Sequence, residues 1–427
     1  MSILFYTGLL IFIVTLFLVL KRPKNIGIGY SALIGAAVSI IIGVSTISDV
    51  IKVWDIVWNP TFTFIAVIII SLILDEAGFF EYIAYRIAIM AKGSTLKLFI
   101  FIMLLGSIIS AIFANDGTAL ILTPIVYSIL VRFNFPEKRI VPFIMATGFI
   151  ADTSSMPFTV SNLVNLLTAG YFRITFLRYS EVMIIPDIVS IIASIAVIFL
   201  FYRDAFLGNY ESKNIDPSIF IKDKLIFKVS LPLISILMLL YFLSGFFKIP
   251  ISFIAMPFAF IFYIIARLNG KIDANNVIKI APWQIVLFSL GMYIIVFGIA
   301  NHGLSNLYAY VINTFNGFPQ IINYLFSGFF FAFNATIMNN LPSVMLGNLA
   351  ISNLRNPGLI MYTNVIGNDI GPKFTPIGSL ATLLWIYTLQ RKNAVKISYK
   401  YYMKVGLITA LPVLSVTLAS LYISLIL

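Results

Sequence analysis

The sequence predicts an all-α polytopic membrane protein of two inverted-topology repeats, with about ten transmembrane helices, two re-entrant helical hairpins and two broken helices. Three observations carry that expectation. Hydrophobic residues make up 60% of the 427 residues and charged residues only 10%, with a mean hydropathy of +1.03, whereas a soluble surface calls for about 25% charge. Apolar runs of about 20 residues, the length that crosses a bilayer, recur from end to end. Polar clusters interrupt four of the longest apolar stretches at corresponding places in the two halves.

The run 2–20 is longer than a signal-peptide core, lacks a basic start and a small-residue cleavage site, and is followed by Lys21, Arg22 and Lys24. It reads as a retained first span. Spans follow at 26–48 and 60–77. The stretch 95–132 is apolar but interrupted midway by Asn115-Asp116-Gly117, which predicts a hairpin returning to the side it left. The run 139–169 is too long for one simple helix and carries Asp152-Thr153-Ser154-Ser155-Met156-Pro157, which predicts a broken helix. A span at 180–202 completes residues 1–202 as the first repeat. The hydrophilic segment 203–228 is the linker, read as a solvated connection or as a landing place for a cytoplasmic partner. The second repeat, 229–427, shows the same order: spans at 225–245, 250–268 and 282–300, a hairpin at 318–352 around Asn339-Asn340-Leu341-Pro342, a broken helix at 357–390 around Asn368 to Pro376, and a span at 402–426.

Charge fixes the orientation, because Lys and Arg accumulate in cytoplasmic loops. With both termini outside and the 203–228 loop cytoplasmic, most of the 28 basic residues fall inside. They include Arg132, Lys138, Arg139, Arg203, Lys213, Arg267, Arg391, Lys392 and Lys396. The outside keeps Lys52, Arg173, Arg178, Lys248 and Arg355, and Lys373 alone sits within a span. Five crossings per half is odd, so the second half enters upside down, an arrangement typical of secondary transporters.

The net charge of +12 lies in short clusters between apolar runs and forms no basic face for nucleic acid. Zero cysteines and one histidine, His302, remove disulfides, thiolate chemistry and a transition-metal cluster. The Phe and Met residues read as packing or lipid-facing rather than as a cofactor site, and none is expected. A membrane-embedded enzyme is disfavoured by the lack of an acidic diphosphate motif, a His-Glu-x-x-His motif or a Gly-x-Ser-x-Gly elbow.

Non-helical backbone at membrane depth is tolerated only where protein or a water-filled cavity satisfies it. Each tip precedes its break by a similar number of residues, so tip and break read as two walls of one half-site. Asn, Ser and Thr there supply donors and acceptors without fixed charge, a lining suited to a small polyhydroxyl solute. Anions are disfavoured by Asp116, Asp152 and Asp369 aimed at the same region. Such residues cost about 2.5–3.5 kcal/mol to insert and usually mark an ion pathway, although each could cap a half-helix N-terminus. Lys373, four residues after Asp369, reads as its salt-bridge partner or as a coupling element. Asp75 and Glu76 end the third span at the interface. Asp187 after Pro186 reads as a cap of a helix segment, with proton access the lesser alternative, and His302 as a surface residue.

WNPTFTFIAVIIISLILDEAGFFE at 58–81, FANDGTALILTPIVY at 113–127, GFIADTSSMPFTVSNLVN at 148–165, APWQIVLFSLGMY at 281–293, MNNLPSVMLG at 338–347 and NVIGNDIGPKFTPIGSLATLLW at 364–385 together resemble the ArsB-type arsenite and antimonite efflux permeases of the ion transporter superfamily. The likeness covers nearly the whole length. It implies export of a metalloid trihydroxide driven by inward protons, sometimes energised by a cytoplasmic ATPase. Some members carry a cysteine; this chain has none, so thiolate coordination is excluded. By motif position the resemblance assigns Asn115, Thr118, Asn162, Asn339, Asn340, Thr375 and Ser379 to hydroxyl contacts and Asp116, Asp152 and Asp369, with Lys373, to proton coupling. The rival within the fold is a sodium- or proton-coupled carrier of carboxylates or cations; a passive channel would show flux without accumulation. Oligomeric state stays open, a homodimer among the options.

Overall fold

The computed structural model describes residues 2–211, 215–315, 317–354, 357–391 and 397–424. Of the basic residues placed above, Lys213, Arg355, Lys392, Lys396 and the Arg391 side chain lie outside the described residues, as does the end of the 402–426 span. Every named element is helical. The first half runs α1 (Ile3–Lys21), α2 (Ile28–Ile42), α3 (Ile47–Glu76), α4 (Phe79–Met90), α5 (Thr95–Phe113), α6 (Asn115–Arg132), α7 (Glu137–Thr153), α8 (Leu163–Tyr171), α9 (Phe176–Phe201) and the short α10 (Arg203–Phe206). The second runs α11 (Lys224–Phe247), α12 (Ser252–Asn269), α13 (Ala274–Ile280), α14 (Trp283–Ile299), α15 (Ser305–Phe315), α16 (Gln320–Met338), α17 (Asn340–Ile351), α18 (Ile360–Ile370), α19 (Leu380–Arg391) and α20 (Tyr399–Ile423).

Among the described residues nine helices are long and apolar enough to cross a membrane, by length and composition. The expected spans and these nine differ for local reasons. Both broken helices are cut too short to count, and α2 is a shorter apolar helix. The hairpin arms α5 and α16, expected to be re-entrant, do count. Each has 19 residues, which at 1.5 Å per residue rise about 28 Å. The third span begins at Ile47, not at 60, because Thr46 and Asp49 form a capping box: the Asp49 amide donates to Thr46 Oγ1 at 3.2 Å and the Thr46 amide to Asp49 Oδ2 at 2.8 Å. The 282–300 span is α14, which starts after a break at Ala281 and Pro282 and runs on through a π turn at Ala300–Leu304 into α15. His302 lies in that turn, half-buried, with Nε2 3.2 Å from the Val44 carbonyl rather than free at the surface.

The packing repeats itself between the halves. α2 lies along α14 as α12 lies along α3; α6 meets α19 as α17 meets α8; α9 and α20 run together. Large apolar side chains such as Ile3, Ile41 and Leu268 remain outside this core and exposed, a surface that suits lipid rather than water.

The linker departs from the solvated reading. Phe220 is buried and stacks on Tyr85 with ring centroids 4.1 Å apart. The Arg132 guanidinium lies over the Phe220 ring at 5.4 Å. Tyr210 donates its hydroxyl to the Ala88 carbonyl at 2.7 Å. At Gly78, φ is +83° and an added Cβ would lie 1.8 Å from the Phe220 carbonyl oxygen, so only glycine lets the linker dock there. Aromatic anchors, invisible to a reading based on hydrophilicity, fasten the segment to α4.

Candidate functional site

The two breaks share one frame. Asp152 and Asp369 each stand one residue before the end of their helices, α7 and α18. Ten residues later, Asn162 (φ −154°, ψ 147°) and Ser379 (φ −136°, ψ 139°) sit in extended backbone just before α8 and α19. Four residues after the acid, the first frame holds Met156 and the second Lys373. The tips match as well: Ala114 (φ 68°, ψ 145°) and Asn339 (φ 76°, ψ 148°) turn the chain into α6 and α17. A positive φ on a residue with a Cβ is strained, at a cost of about 1–3 kcal/mol, and such strain clusters at functional sites.

Lys373 does not pair with Asp369. Its Nζ lies 2.7 Å from Asp152 Oδ2 in the opposite half and donates to the Gly148 carbonyl at 2.6 Å, with the Tyr402 hydroxyl beside it. Helical geometry explains the change. α18 ends at Ile370, and Gly371–Phe374 continues as a 3₁₀ turn, so Asp369 and Lys373 lose the side-by-side placement that an i, i+4 spacing gives in a continuous α-helix. Asp152 Oδ1 accepts from Asn115 Nδ2 at 2.9 Å, so both its oxygens are engaged. Asp152 and Lys373 are 2% and 3% exposed, a burial that two opposite charges tolerate only together.

Asp369 also looks across the halves. Its Oδ1 accepts from Asn162 Nδ2 at 2.8 Å, while Oδ2, fully buried, has no hydrogen-bond partner among the described residues. Asn162 is itself fixed in place. Its Nδ2 also reaches Ser155 Oγ at 3.2 Å, and its Oδ1 caps α8 by accepting from the Val164 amide at 3.1 Å. Asp116, half-buried at the first tip, has Asp152 and Lys373 as charged neighbours.

Not every expected residue aims at the same space. Thr118 returns its hydroxyl to the Ala114 carbonyl at 3.0 Å, and Thr375 gives its own to the Thr336 carbonyl at 2.7 Å. Asn339 builds its tip, capping α17 at the Leu341 amide (3.3 Å) and donating to the Ile377 carbonyl (3.2 Å). Asn340 and Ser379 are buried. Among the described residues, six buried polar atoms around tips and breaks have no hydrogen-bond or ion-pair partner: Asn115 Oδ1, Thr159 Oγ1, Asn165 Oδ1, Ser343 Oγ, Asn368 Oδ1 and Asp369 Oδ2. Four of these, the three amide oxygens and the carboxylate oxygen, only accept, so whatever satisfies them must donate.

Sequence reasoning missed a polar ladder beside the second break. Asn368 Nδ2 donates to Asn364 Oδ1 at 2.8 Å, Asn364 Nδ2 to Asn348 Oδ1 at 3.0 Å, and Asn348 Nδ2 to Thr168 Oγ1 at 3.2 Å, again joining the halves. Asparagines four apart in an apolar helix were the available signal. Asp187 does not cap its own helix; Oδ1 accepts the Met156 amide of the first break at 3.3 Å. Among the described residues no group of three or more His, Asp or Glu is placed to hold a metal ion.

A family model described as arsenical pump membrane protein matches residues 7–425. The chain is 45% identical to the arsenical pump membrane protein of Escherichia coli (strain K12), over 96% of this chain and 97% of that one. Against the protein of the same name from Yersinia enterocolitica the identity is 44%, with the same coverage. Among solved structures, the YdaH transporter of Alcanivorax borkumensis aligns with a TM-score of 0.53 at 13% identity, covering 85% of this chain and 86% of that one, a likeness of fold alone.

Proposed function

The chain belongs to the arsenical pump membrane protein family, and from that premise we propose that it exports trivalent metalloid hydroxide, arsenite or antimonite, in exchange for inward protons by alternating access. It is a membrane transporter for arsenicals rather than an enzyme; cargo form and coupling are the proposal. The observation that carries it is the set of buried, acceptor-only atoms Asn115 Oδ1, Asn368 Oδ1 and Asp369 Oδ2 at the two half-sites. Arsenous acid is neutral near pH 7 and presents three O–H donors, which answers acceptors without bringing an anion against the carboxylates. Asn115, Asn162, Asn340 and Ser379 are the assigned hydroxyl contacts. Thr118, Asn339 and Thr375 shape the tips and breaks through the backbone bonds described above.

Asp369 is the assigned proton carrier, because one of its oxygens is free, whereas Asp152 is neutralised by Lys373 and serves as the fixed counterpart; Asp116 is the acid that water meets at the first tip. In this reading residues 1–202 and 229–427 are the two inverted units, and the bonds that cross between them at the breaks are remade as one half rocks against the other. Both termini are outside. Two surface pockets group the basic residues as that orientation assigns them, Lys138, Arg139 and Arg203 in one and Arg173 and Lys248 in the other; which of the two sides is cytoplasmic rests on the positive-inside rule. A cytoplasmic ATPase, where present, would dock on the 203–228 side. Exchange of a neutral solute for one proton is electrogenic and draws about 2.3 kcal/mol per 100 mV.

Everted membrane vesicles test this directly. Arsenite accumulation that rises with an imposed inside-acid gradient and vanishes when the gradient is collapsed supports the proposal. Accumulation indifferent to the gradient overturns the coupling, and sodium-driven uptake of an organic anion instead would favour the rival carrier.

A further inference from the structure

The inverted repeat puts two hydrogen-bonded seams at matching places, one on each side of the breaks. Thr168 and Trp385 each stand 16 residues after an acid, Asp152 or Asp369, and Thr147 and Asn364 each stand five before one. Thr123 and Asn348 each stand nine residues after the tip residue with positive φ, Ala114 or Asn339. These six side chains are buried, and they bond in the same pattern. Asn348 Nδ2 donates to Thr168 Oγ1 at 3.2 Å, and Asn364 Nδ2 to Asn348 Oδ1 at 3.0 Å. In the other triad Trp385 Nε1 donates to Thr123 Oγ1 at 2.9 Å, and the Thr123 and Thr147 hydroxyls are 3.2 Å apart. One bond of each triad stays within a half, tying the second arm of a hairpin to its own broken helix, and the other crosses to the opposite half.

The seams lead to opposite surfaces and to different parts of the site. Along the first, the Tyr171 hydroxyl of α8 donates to Ser352 Oγ, just past α17, at 3.0 Å and at the surface, two residues before Arg173. The second lies along α6 and α19, which end at Arg132 and Arg391. By the positive-inside assignment the first seam faces out and the second faces the cytoplasm. Asn364 Oδ1 also accepts from Asn368 Nδ2 at 2.8 Å, and Asn368 Oδ1 is one of the open acceptors among the described residues. The position matching Asn368 in the first half is Ala151, which has no side-chain polar group to extend its triad. Gly148, next to Thr147, instead gives its carbonyl to Lys373 Nζ at 2.6 Å, and a Cβ there would lie 2.8 Å from the Trp385 ring. The outer seam is thus bonded to an open acceptor of the site, and the inner seam packs where Lys373 is held.

We infer that the two triads are the gates of the transport cycle, Thr168 with Asn348 the outer and Trp385 with Thr123 the inner, and that both are shut in this structure. Opening to one side breaks one crossing bond and keeps the other. A solute that donates to Asn368 Oδ1 acts on the outer gate through the asparagine ladder, whereas release of Lys373 from Gly148 acts on the inner gate. The six are positioning residues for the two halves, not cargo contacts.

The inference rests on the alternating-access reading, and two readouts on full-length protein in right-side-out and everted vesicles separate its failure from that of the cargo. The chain has no cysteine, so Ser343→Cys supplies a sole thiol at the second tip, where the hydroxyl has no hydrogen-bond partner among the described residues. Its labelling by a charged, membrane-impermeant thiol reagent reports opening toward the exposed face whether or not arsenite is carried. On this background Thr168→Val is expected to raise labelling from the outer face about fivefold, the factor for one hydrogen bond, and not from the inner face. Trp385→Phe should do the reverse, and Thr168→Ser should match the background. Failure of either variant to raise labelling from its own face overturns the gates, as does a rise from both faces alike, which general loosening would give. Arsenite–antimonite exchange in the same vesicles tests the cargo: sided labelling in protein that exchanges neither upholds the gates and overturns the metalloid reading.

Discussion

The first break and the second are built on one frame, yet their acids are held in opposite ways. Asp152 is saturated, by Lys373 at 2.7 Å and Asn115 at 2.9 Å. Asp369 keeps one oxygen free and relies on Asn162 at 2.8 Å for the other. The difference comes from a single exchange four residues after the acid, Met156 in one frame and Lys373 in the other. Because the lysine crosses to the other half, the repeat that carries the cation leaves its own acid unneutralised. Symmetry supplies two equivalent acids, and one asymmetric cation engages the first and leaves the second an open oxygen; on the proposed function the first is the lock and the second the carrier.

The largest effect should come from erasing that asymmetry. Lys373→Met gives both frames the same residue and leaves Asp152 as a buried, unpaired charge, a loss of about 3–5 kcal/mol. It should appear as a marked fall in the melting temperature of the purified protein. Adding Asp152→Asn should recover most of the stability; no recovery would mean that the pair is not what holds the breaks together.

Asp369→Asn sharpens the contrast from the other side. Asn keeps an oxygen for Asn162 to donate to, so stability should move by about 1 kcal/mol or less, while gradient-driven accumulation disappears in vesicles. Asn162→Ala removes a donor to a charged group, an effect of about 1.5–3 kcal/mol. The expected result is a raised arsenite KM, and Asn162→Ser, copying the second frame at Ser379, should be milder. The smallest change is Thr118→Val. Its hydroxyl serves the Ala114 carbonyl of its own helix, so arsenite flux should stay near wild type and stability fall by about 1 kcal/mol at most.

How much of this could be read from the sequence follows from what spacing encodes. Apolar length and polar interruption are local properties, and they located both tips and both breaks. Partner choice at the site is not local. Asp369 and Lys373 are separated as a helical pair would be, but α18 ends between them, and the lysine finds Asp152, which lies far away in sequence. Nor does hydrophilicity show that the 203–228 segment is held by Phe220 and Tyr210, since a few aromatic anchors decide docking where average polarity suggests solvation. The Asn348, Asn364 and Asn368 ladder was within reach, because asparagines buried in an apolar stretch must find partners.

Whether Asp369 carries the proton is decided by following proton movement in proteoliposomes when arsenite is added to purified protein. Protons should move opposite to arsenite in the wild type and in the Lys373→Met/Asp152→Asn double variant, and should not move in Asp369→Asn. Proton movement coupled to arsenite that survives in Asp369→Asn would contradict the division into lock and carrier.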